Sequence, residues 1–316
     1  MPKITRDDQL SCSQLPTVLG CNPYATRNDL LRTVIKAIEG EPREEIKNEA
    51  IEWGNRLESV ILDKMAETFE QDGYIVPTTP FYSDVVPLGA SLDGVVYLDR
   101  FVIKHDPANK IFLMNGKEEM ELDGMVVLEA KNTKADGVDE PAVFRGPLQL
   151  QGQMMCAKAR FGAIGTLYKG QDFRLYIYET DLDMQCEIED HVLDFSNRIE
   201  MYHHTGEPEW YAIASSDDGN KLYPVAIEKK MVYLDNLEDD ASVIVDAKAQ
   251  IKKLEEDINQ AESRIKEAMR VSEFAKAGKW KLSWGMRNYK EQPEQLRPGR
   301  PAYSVRQSSI SIREWK

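Results

Sequence analysis

A chain of 316 residues, 42% of them hydrophobic, can bury a sizeable core; a disordered protein is excluded, and one large domain with an appendage is expected. Forty basic residues against 54 acidic ones leave a formal charge of −14, which excludes a uniformly basic surface; a polyanion would have to meet a locally positive groove on an acidic body. The four cysteines, Cys12, Cys21, Cys156 and Cys186, lack Cys-x-x-Cys spacing, so neither a zinc ribbon nor a disulfide framework is indicated.

The amino terminus, residues 1–8, is charged and lacks an apolar signal core, and no stretch is long enough to cross a bilayer, so a reducing cytoplasm is the expected compartment. A helix and turn reach about Tyr24, and a second helix covers residues 28–39. From 41 to 69 the apolar residues Ile46, Ala50, Trp53, Leu57, Ile61, Met65 and Phe69 recur every three or four positions, which predicts an amphipathic helix. Glu58 sits beside that stripe, either as a surface residue or as a carboxylate leaning into a cleft. Strands are predicted over residues 81–85, 89–98 and 124–131. The stretch 101–123 is too long for a tight hairpin, and its Asn115-Gly116 suggests an inserted turn.

Pro147 suits a helix start, and the helix it opens runs to about residue 160 with Gln149 and Gln153 on one face. Residues 163–169 and 173–179 read as a hairpin joined by Gly170-Gln171-Asp172, followed by a helix over 184–202. His203-His204 reads as a solvated helix end rather than a metal site. The sum is an α/β core, a mixed sheet flanked by helices.

Beyond Pro208 the character changes. A loop at residues 215–220 leads to a charged helix over 241–271 with apolar residues Val243, Val245, Ala249, Ile251, Leu254, Ile258, Ala261, Ile265 and Met269, either a coiled-coil arm or a helix packed on its own chain. Residues 271–316 hold ten basic residues against four acidic ones, interleaved with Trp280, Trp284, Tyr289, Tyr303 and Trp315. Such alternation suits contact with phosphates and bases, or equally an ordinary hairpin; strands at 279–284 and 302–312 would form a small basic β-element. The expected division is a catalytic domain over 1–210, a linker over 211–240, and a helical arm with a basic aromatic tail over 241–316.

The chemistry concentrates in Met125-Val126-Val127-Leu128-Glu129-Ala130-Lys131. Strand alternation puts Glu129 and Lys131 on one face and Val126, Leu128 and Ala130 on the other. Ser91-Leu92-Asp93-Gly94 brings another carboxylate to the edge of an apolar run. A hard divalent cation binds through a few carboxylate oxygens and a substrate phosphate, so Asp93 and Glu129 can supply such a pair. Lys131 is placed to orient a water or neutralise a phosphorus transition state. The amides of Gln149 and Gln153 can hold waters or sugar-phosphate oxygens without competing for the cation. On Glu129 and Lys131 alone, an exposed ion pair at a strand end is the better explanation of the pattern.

In order, Glu58, Ser91-Leu92-Asp93-Gly94, Glu129-Ala130-Lys131 and Gln149-Leu150-Gln151 resemble the PD-(D/E)XK nuclease superfamily, restriction-endonuclease-like in fold, in its YqaJ-like, lambda-exonuclease-type viral recombinase branch. Arg6, seven residues before Ser13, and the following Leu15-Pro16-Thr17-Val18-Leu19-Gly20 resemble its opening segment. The resemblance spans residues 6–200. It implies Asp93, Glu129, Glu58 and the Ala130 carbonyl as ligands of Mg2+ or Mn2+, two ions in all. It implies Lys131, Glu129, Asp93 and Gln149 as catalytic, and Arg6, Ser13, Gln151 and Gln153 as contacts to phosphate and DNA. Gly54-Asn55-Arg56-Leu57-Glu58 departs from the family's glycine-threonine before its Glu.

The implied activity is metal-dependent 5′-to-3′ degradation of linear duplex DNA, making single strands for an annealing recombinase, with a homo-oligomer possible and no membrane involved. The alternatives are an endonuclease or nickase with the same site, or a DNA- or recombinase-binding module on an inactive scaffold.

Overall fold

The computed structural model describes residues 9–41, 49–225 and 231–285. Arg6, Ile46 and the strand expected at 302–312 lie outside them. The chain divides into two compact units, Met1–Asp218 and Gly219–Lys316.

In the first unit β1 (Leu10–Ser11), α1 (Leu15–Val18), α2 (Arg27–Ile38) and α3 (Glu49–Thr68) precede β2 (Phe81–Tyr82), β3 (Leu88–Ala90), β4 (Gly94–Lys104), β5 (Ile111–Leu113) and β6 (Glu119–Thr133). Then come α4 (Pro147–Ala157), β7 (Phe161–Tyr168), β8 (Asp172–Glu179) and α5 (Leu182–Thr205), with α6 (Ser216–Leu222) at the boundary. The main sheet has the order β4-β6-β7-β8-β5. Its β4–β6 and β7–β8 pairs are antiparallel and its β6–β7 and β8–β5 pairs parallel, so the sheet is mixed, as expected. β1, β3 and β2 form a separate small sheet.

Alternation along β6 sorts the core into two layers. Val126 and Leu128 join Ile61, Leu62, Met65 and Phe69 of α3 on one face. Val127 joins Leu148, Leu150 and Met154 of α4 and Ile188, Val192 and Phe195 of α5 on the other. α3 lies so close to β7 that a Cβ on Gly165 would stand 2.5 Å from the Met65 sulfur, so only glycine fits there.

Two expectations are corrected. The strand read over 89–98 is interrupted: β3 ends at Ala90 and β4 starts at Gly94, leaving Ser91, Leu92 and Asp93 outside either ladder. The inserted segment after β4 is more than a turn, because β5 crosses to the far edge of the sheet and pairs with β8. The expected hairpin of β7 and β8 is present in full register.

α2 starts at a capping box in which the Thr26 hydroxyl accepts from the Asp29 N–H and Asp29 returns a bond to the Thr26 N–H. Residues 211–218, placed in a linker by the sequence reading, are folded against α2 and α5. Asp218 is buried and accepts from the Thr26 hydroxyl at 3.1 Å and Asn28 Nδ2 at 2.9 Å, while Arg198 lies 4.1 Å over the Tyr211 ring. α5 ends at Gly206 (φ +72°), leaving His203 and His204 exposed as expected.

In the second unit α7 (Glu238–Met269) is followed by β9 (Phe274–Ala277) and β10 (Trp280–Ser283), an antiparallel pair. The strand expected at 279–284 is therefore β10, and its partner among the described residues is β9. No helix among the described residues is long and apolar enough to cross a membrane.

Candidate active site

The site forms where β6 outruns β4. The β4–β6 register closes at Gly94 opposite Leu128, and the next residue back, Asp93, fills the vacated edge with its side chain: Oδ2 accepts from the Ala130 N–H at 2.9 Å. N–H and C=O of one residue leave a strand on the same side, so the Ala130 carbonyl opens beside Asp93. The break at residues 91–93 makes this possible, since continuous pairing would have occupied that N–H with backbone.

On the α4 face of β6, Glu129 is 2% exposed yet fully engaged. Its Oε1 accepts from Lys131 Nζ at 2.5 Å and its Oε2 from Gln153 Nε2 at 2.7 Å. Lys131 also donates to Gln149 Oε1 at 2.9 Å. α4 is aimed by its start: Pro147 occupies the first helical position, and Gly146 before it takes φ +129°. Gln149 and Gln153, one turn apart, then face the same strand end. Gly146 has a part that residue chemistry alone does not announce; the Gly-Pro step ahead of Gln149 is the available signal.

Two carboxylates crowd this corner. Burial, then the Glu129 charge, push Asp93 up to about 8, with Glu58 adding to the rise while the Ala130 N–H and Lys131 oppose it. Burial pulls Lys131 down, but the charge and hydrogen bond of Glu129, joined by Asp93 and Glu58, more than offset this and hold the ammonium above its ordinary value. Lys131 is thus a fixed cation between acids.

The structure brings Asp93, Glu129, the Ala130 backbone, Lys131 and Gln149 together. It does not gather Glu58 with them: α3 packs on the opposite face of β6, and Glu58, one turn before Ile61, influences Asp93 and Lys131 only through its charge. Among the described residues no three His, Cys, Asp or Glu side chains form a group able to hold a metal ion, so the carboxylates that meet here are Asp93 and Glu129, with Glu58 near enough for its charge to act on Asp93 and Lys131.

Gln151 is corrected as a DNA contact. Two positions along the helix from Gln149, it points away from the cluster, donates to the Glu179 carbonyl at 2.8 Å and accepts from the Asp181 N–H at 3.1 Å, tying α4 to the start of α5. Gln153 is also corrected: 1% exposed, it holds Glu129 instead of facing solvent. Ser13 is exposed, with its hydroxyl 3.0 Å from that of Ser11. Its neighbour Cys12 lies close enough for the Glu129 charge to help raise its thiol, after burial and Cys156. Arg6 lies outside the described residues.

The donor set can nonetheless suit a hard cation. Two carboxylates and a backbone carbonyl at one strand end are oxygen ligands of the kind Mg2+ and Mn2+ take, and the charge excess that drives Asp93 upward is what a dication relieves. Asp93, Glu129 and the Ala130 carbonyl would hold it, the remaining positions going to water and substrate.

The YqaJ-like viral recombinase domain matches residues 3–160, half of the chain. Among solved structures the chain is similar to the alkaline exonuclease LHK-Exo from Laribacter hongkongensis, at 16% identity over 64% of this chain and 94% of that one, with a TM-score of 0.42. It is similar also to a phage related exonuclease from Haemophilus somnus 129PT, at 12% identity over 63% of this chain and 96% of that one, with a TM-score of 0.43. No curated protein matches. The match over residues 3–160 takes in the whole cluster from Asp93 to Gln153, and on it the chain belongs to the family of YqaJ-like viral recombinase domains.

Proposed function

We propose that this protein is a divalent-metal-dependent deoxyribonuclease of the PD-(D/E)XK type that resects linear duplex DNA from its ends, 5′ to 3′, and leaves single strands for an annealing recombinase. The observation that carries the reading is the meeting of Asp93, Glu129, Lys131 and Gln149 at one strand end in a chain of this family.

When bound, Mg2+ or Mn2+ supplies an activated water and positive charge at the scissile phosphate. The chain's own residues do the rest. Asp93 and Glu129 provide the anionic oxygens. Lys131, kept protonated by Glu129 and oriented by Gln149, stabilises the charge that builds on the phosphate oxygens and is no general base while it holds its proton. Gln153 keeps Glu129 in a single rotation. Ser13 and Arg6 are assigned to the terminal 5′-phosphate.

The test is release of nucleotides from linear duplex DNA in Mg2+, beside a covalently closed circle of the same sequence. Digestion of the linear form alone is expected, and cutting of the circle would mean an endonuclease instead. Lys131→Ala should bind DNA ends as the parent does while losing cleavage; an active purified variant would refute the role of Lys131. Arg6→Ala should weaken use of 5′-phosphorylated ends selectively, and equal loss on unphosphorylated ends would count against that contact.

A further inference from the structure

α7 carries an apolar seam more regular than its composition suggests. Ile244, Ala247, Ile251, Leu254, Ile258, Ala261, Ile265 and Ala268 follow one another at intervals that alternate strictly between three and four. This is an a/d heptad seam over four repeats, with isoleucine at every a position, spanning about 36 Å of helix. The middle of the seam is open: Ile251, Leu254 and Ile258 are 55%, 61% and 58% exposed. A helix gains most of its stability from burying such a stripe, and an exposed apolar band of this length marks a contact surface.

We propose that this seam pairs with α7 of a second copy of the chain, antiparallel. Side-chain volume favours that direction. Antiparallel pairing sets each a residue against a d residue, so Ile244 meets Ala268, Ala247 meets Ile265, Ile251 meets Ala261, and Leu254 meets Ile258 of the second copy. Three of these layers combine one large and one small side chain. Parallel pairing would instead alternate Ile–Ile layers with layers that are mostly Ala–Ala, leaving gaps at the latter.

Flanking charge agrees. In a parallel pair Asp257 would face Glu262 of the other copy twice over, a repulsion on both sides of the seam. Antiparallel pairing brings Lys248 opposite Glu262 twice instead, against single Glu255–Glu255 and Asp257–Asp257 encounters at the centre.

The seam also leads into a receptor for its partner. At its carboxyl end Ala261, Ile265 and Ala268 share with Phe274, Ala275 and Leu282 of the β9–β10 hairpin a cavity of about 500 Å³. Antiparallel pairing carries Ile244 of the second copy to Ala268, one of the residues lining that cavity, and each copy offers the other the same contact. The contact is thereby self-complementary, as twofold symmetry requires.

The full chain is measured by sedimentation and light scattering over a dilution series, beside Ile251→Glu/Ile258→Glu. The parent is expected at twice the mass of the double variant, with equal helix content by circular dichroism. A monomeric parent at tens of micromolar, or the same mass for both proteins, would overturn the proposal. Cysteine pairs read the direction without disturbing the fold. Ala247→Cys/Ile265→Cys should give a covalent dimer on oxidation, and Ala247→Cys alone should give none above the parent background, since those positions stand about 27 Å apart in the antiparallel pair. A covalent dimer of the single variant would overturn the antiparallel arrangement.

Discussion

Gln153 donates from Nε2 to Oε2 of Glu129 over 2.7 Å, and both side chains are almost wholly removed from solvent. A buried carboxylate is tolerated when each oxygen has a donor, and Gln153 supplies the second of the two that Glu129 has. Gln153→Leu keeps the bulk and deletes the donor. The unpaired oxygen should cost about 1–3 kcal/mol of stability, seen as a lower Tm in thermal unfolding. Freed to rotate, Glu129 should also hold Mg2+ about 10–100-fold more weakly, measured by the metal concentration needed for half-maximal cleavage. An unchanged Mg2+ dependence would leave Gln153 a packing residue only.

Asp93 and Glu129 are two carboxyls in one buried corner, where burial and the Glu129 charge raise Asp93 to about 8. Near neutral pH the folded metal-free chain therefore keeps a proton there that the unfolded chain releases, which costs stability. Asp93→Asn can still accept from the Ala130 N–H, and being neutral at every pH it removes that cost of protonation. The metal-free variant should therefore unfold at a higher temperature than the parent, by about 1–2 kcal/mol of stability, and cleave DNA roughly a hundredfold more slowly or worse. A variant that is destabilised and fully active would contradict both halves of the argument.

Gly146 sets the direction of α4 and so of Gln149. At φ +129° a side chain is strained, and its Cβ would stand 2.9 Å from Ile164 Cδ1. Gly146→Ala should cost about 1–3 kcal/mol and lower kcat through the displaced Gln149. Gly116→Ala is the control: φ there is +73°, with nothing within 4 Å of the added Cβ. It should cost about 1 kcal/mol and leave cleavage as it was. Equal activity losses in the two would place the effect in general destabilisation.

What the sequence disclosed follows from how local each relationship is. Period two along β6 puts Glu129 and Lys131 on one face, and the i, i+4 step puts Gln149 and Gln153 together, because both patterns are set by neighbours in the chain. Gln151 could have been excluded by the same helical geometry, which turns it away from Gln149. The bend that brings Asp93 to the Ala130 N–H is hidden in a run that reads as continuous strand. Nothing local says that β5 will pair with β8, whose residues lie more than sixty positions on, nor that α3 will choose the face of β6 opposite Glu129. Those are decisions of packing, made between segments distant in sequence.

Glu179, at the end of β8, fastens the inserted segment to the body of the sheet. It accepts from Asn115 Nδ2 and Lys117 Nζ at 2.7 Å each and from Arg160 Nη2 at 3.1 Å. Its carboxyl is held below the ordinary value chiefly by the Lys117 hydrogen bond, with burial opposing and Asn115 and Arg160 assisting. A lowered folded-state value means that the unfolded chain binds the proton more readily, so this stabilisation is complete above the ordinary glutamate value and is lost as pH falls through the folded one. Glu179→Gln should therefore cost about 1 kcal/mol near neutral pH, since Lys117 and Arg160 are solvated partners. Denaturant unfolding of both proteins between pH 7 and pH 3 should show the gap constant down to about pH 4–5 and closing below it. A gap that widened in acid would mean that Glu179 is destabilising when ionised and that other contacts hold β5 at the sheet edge.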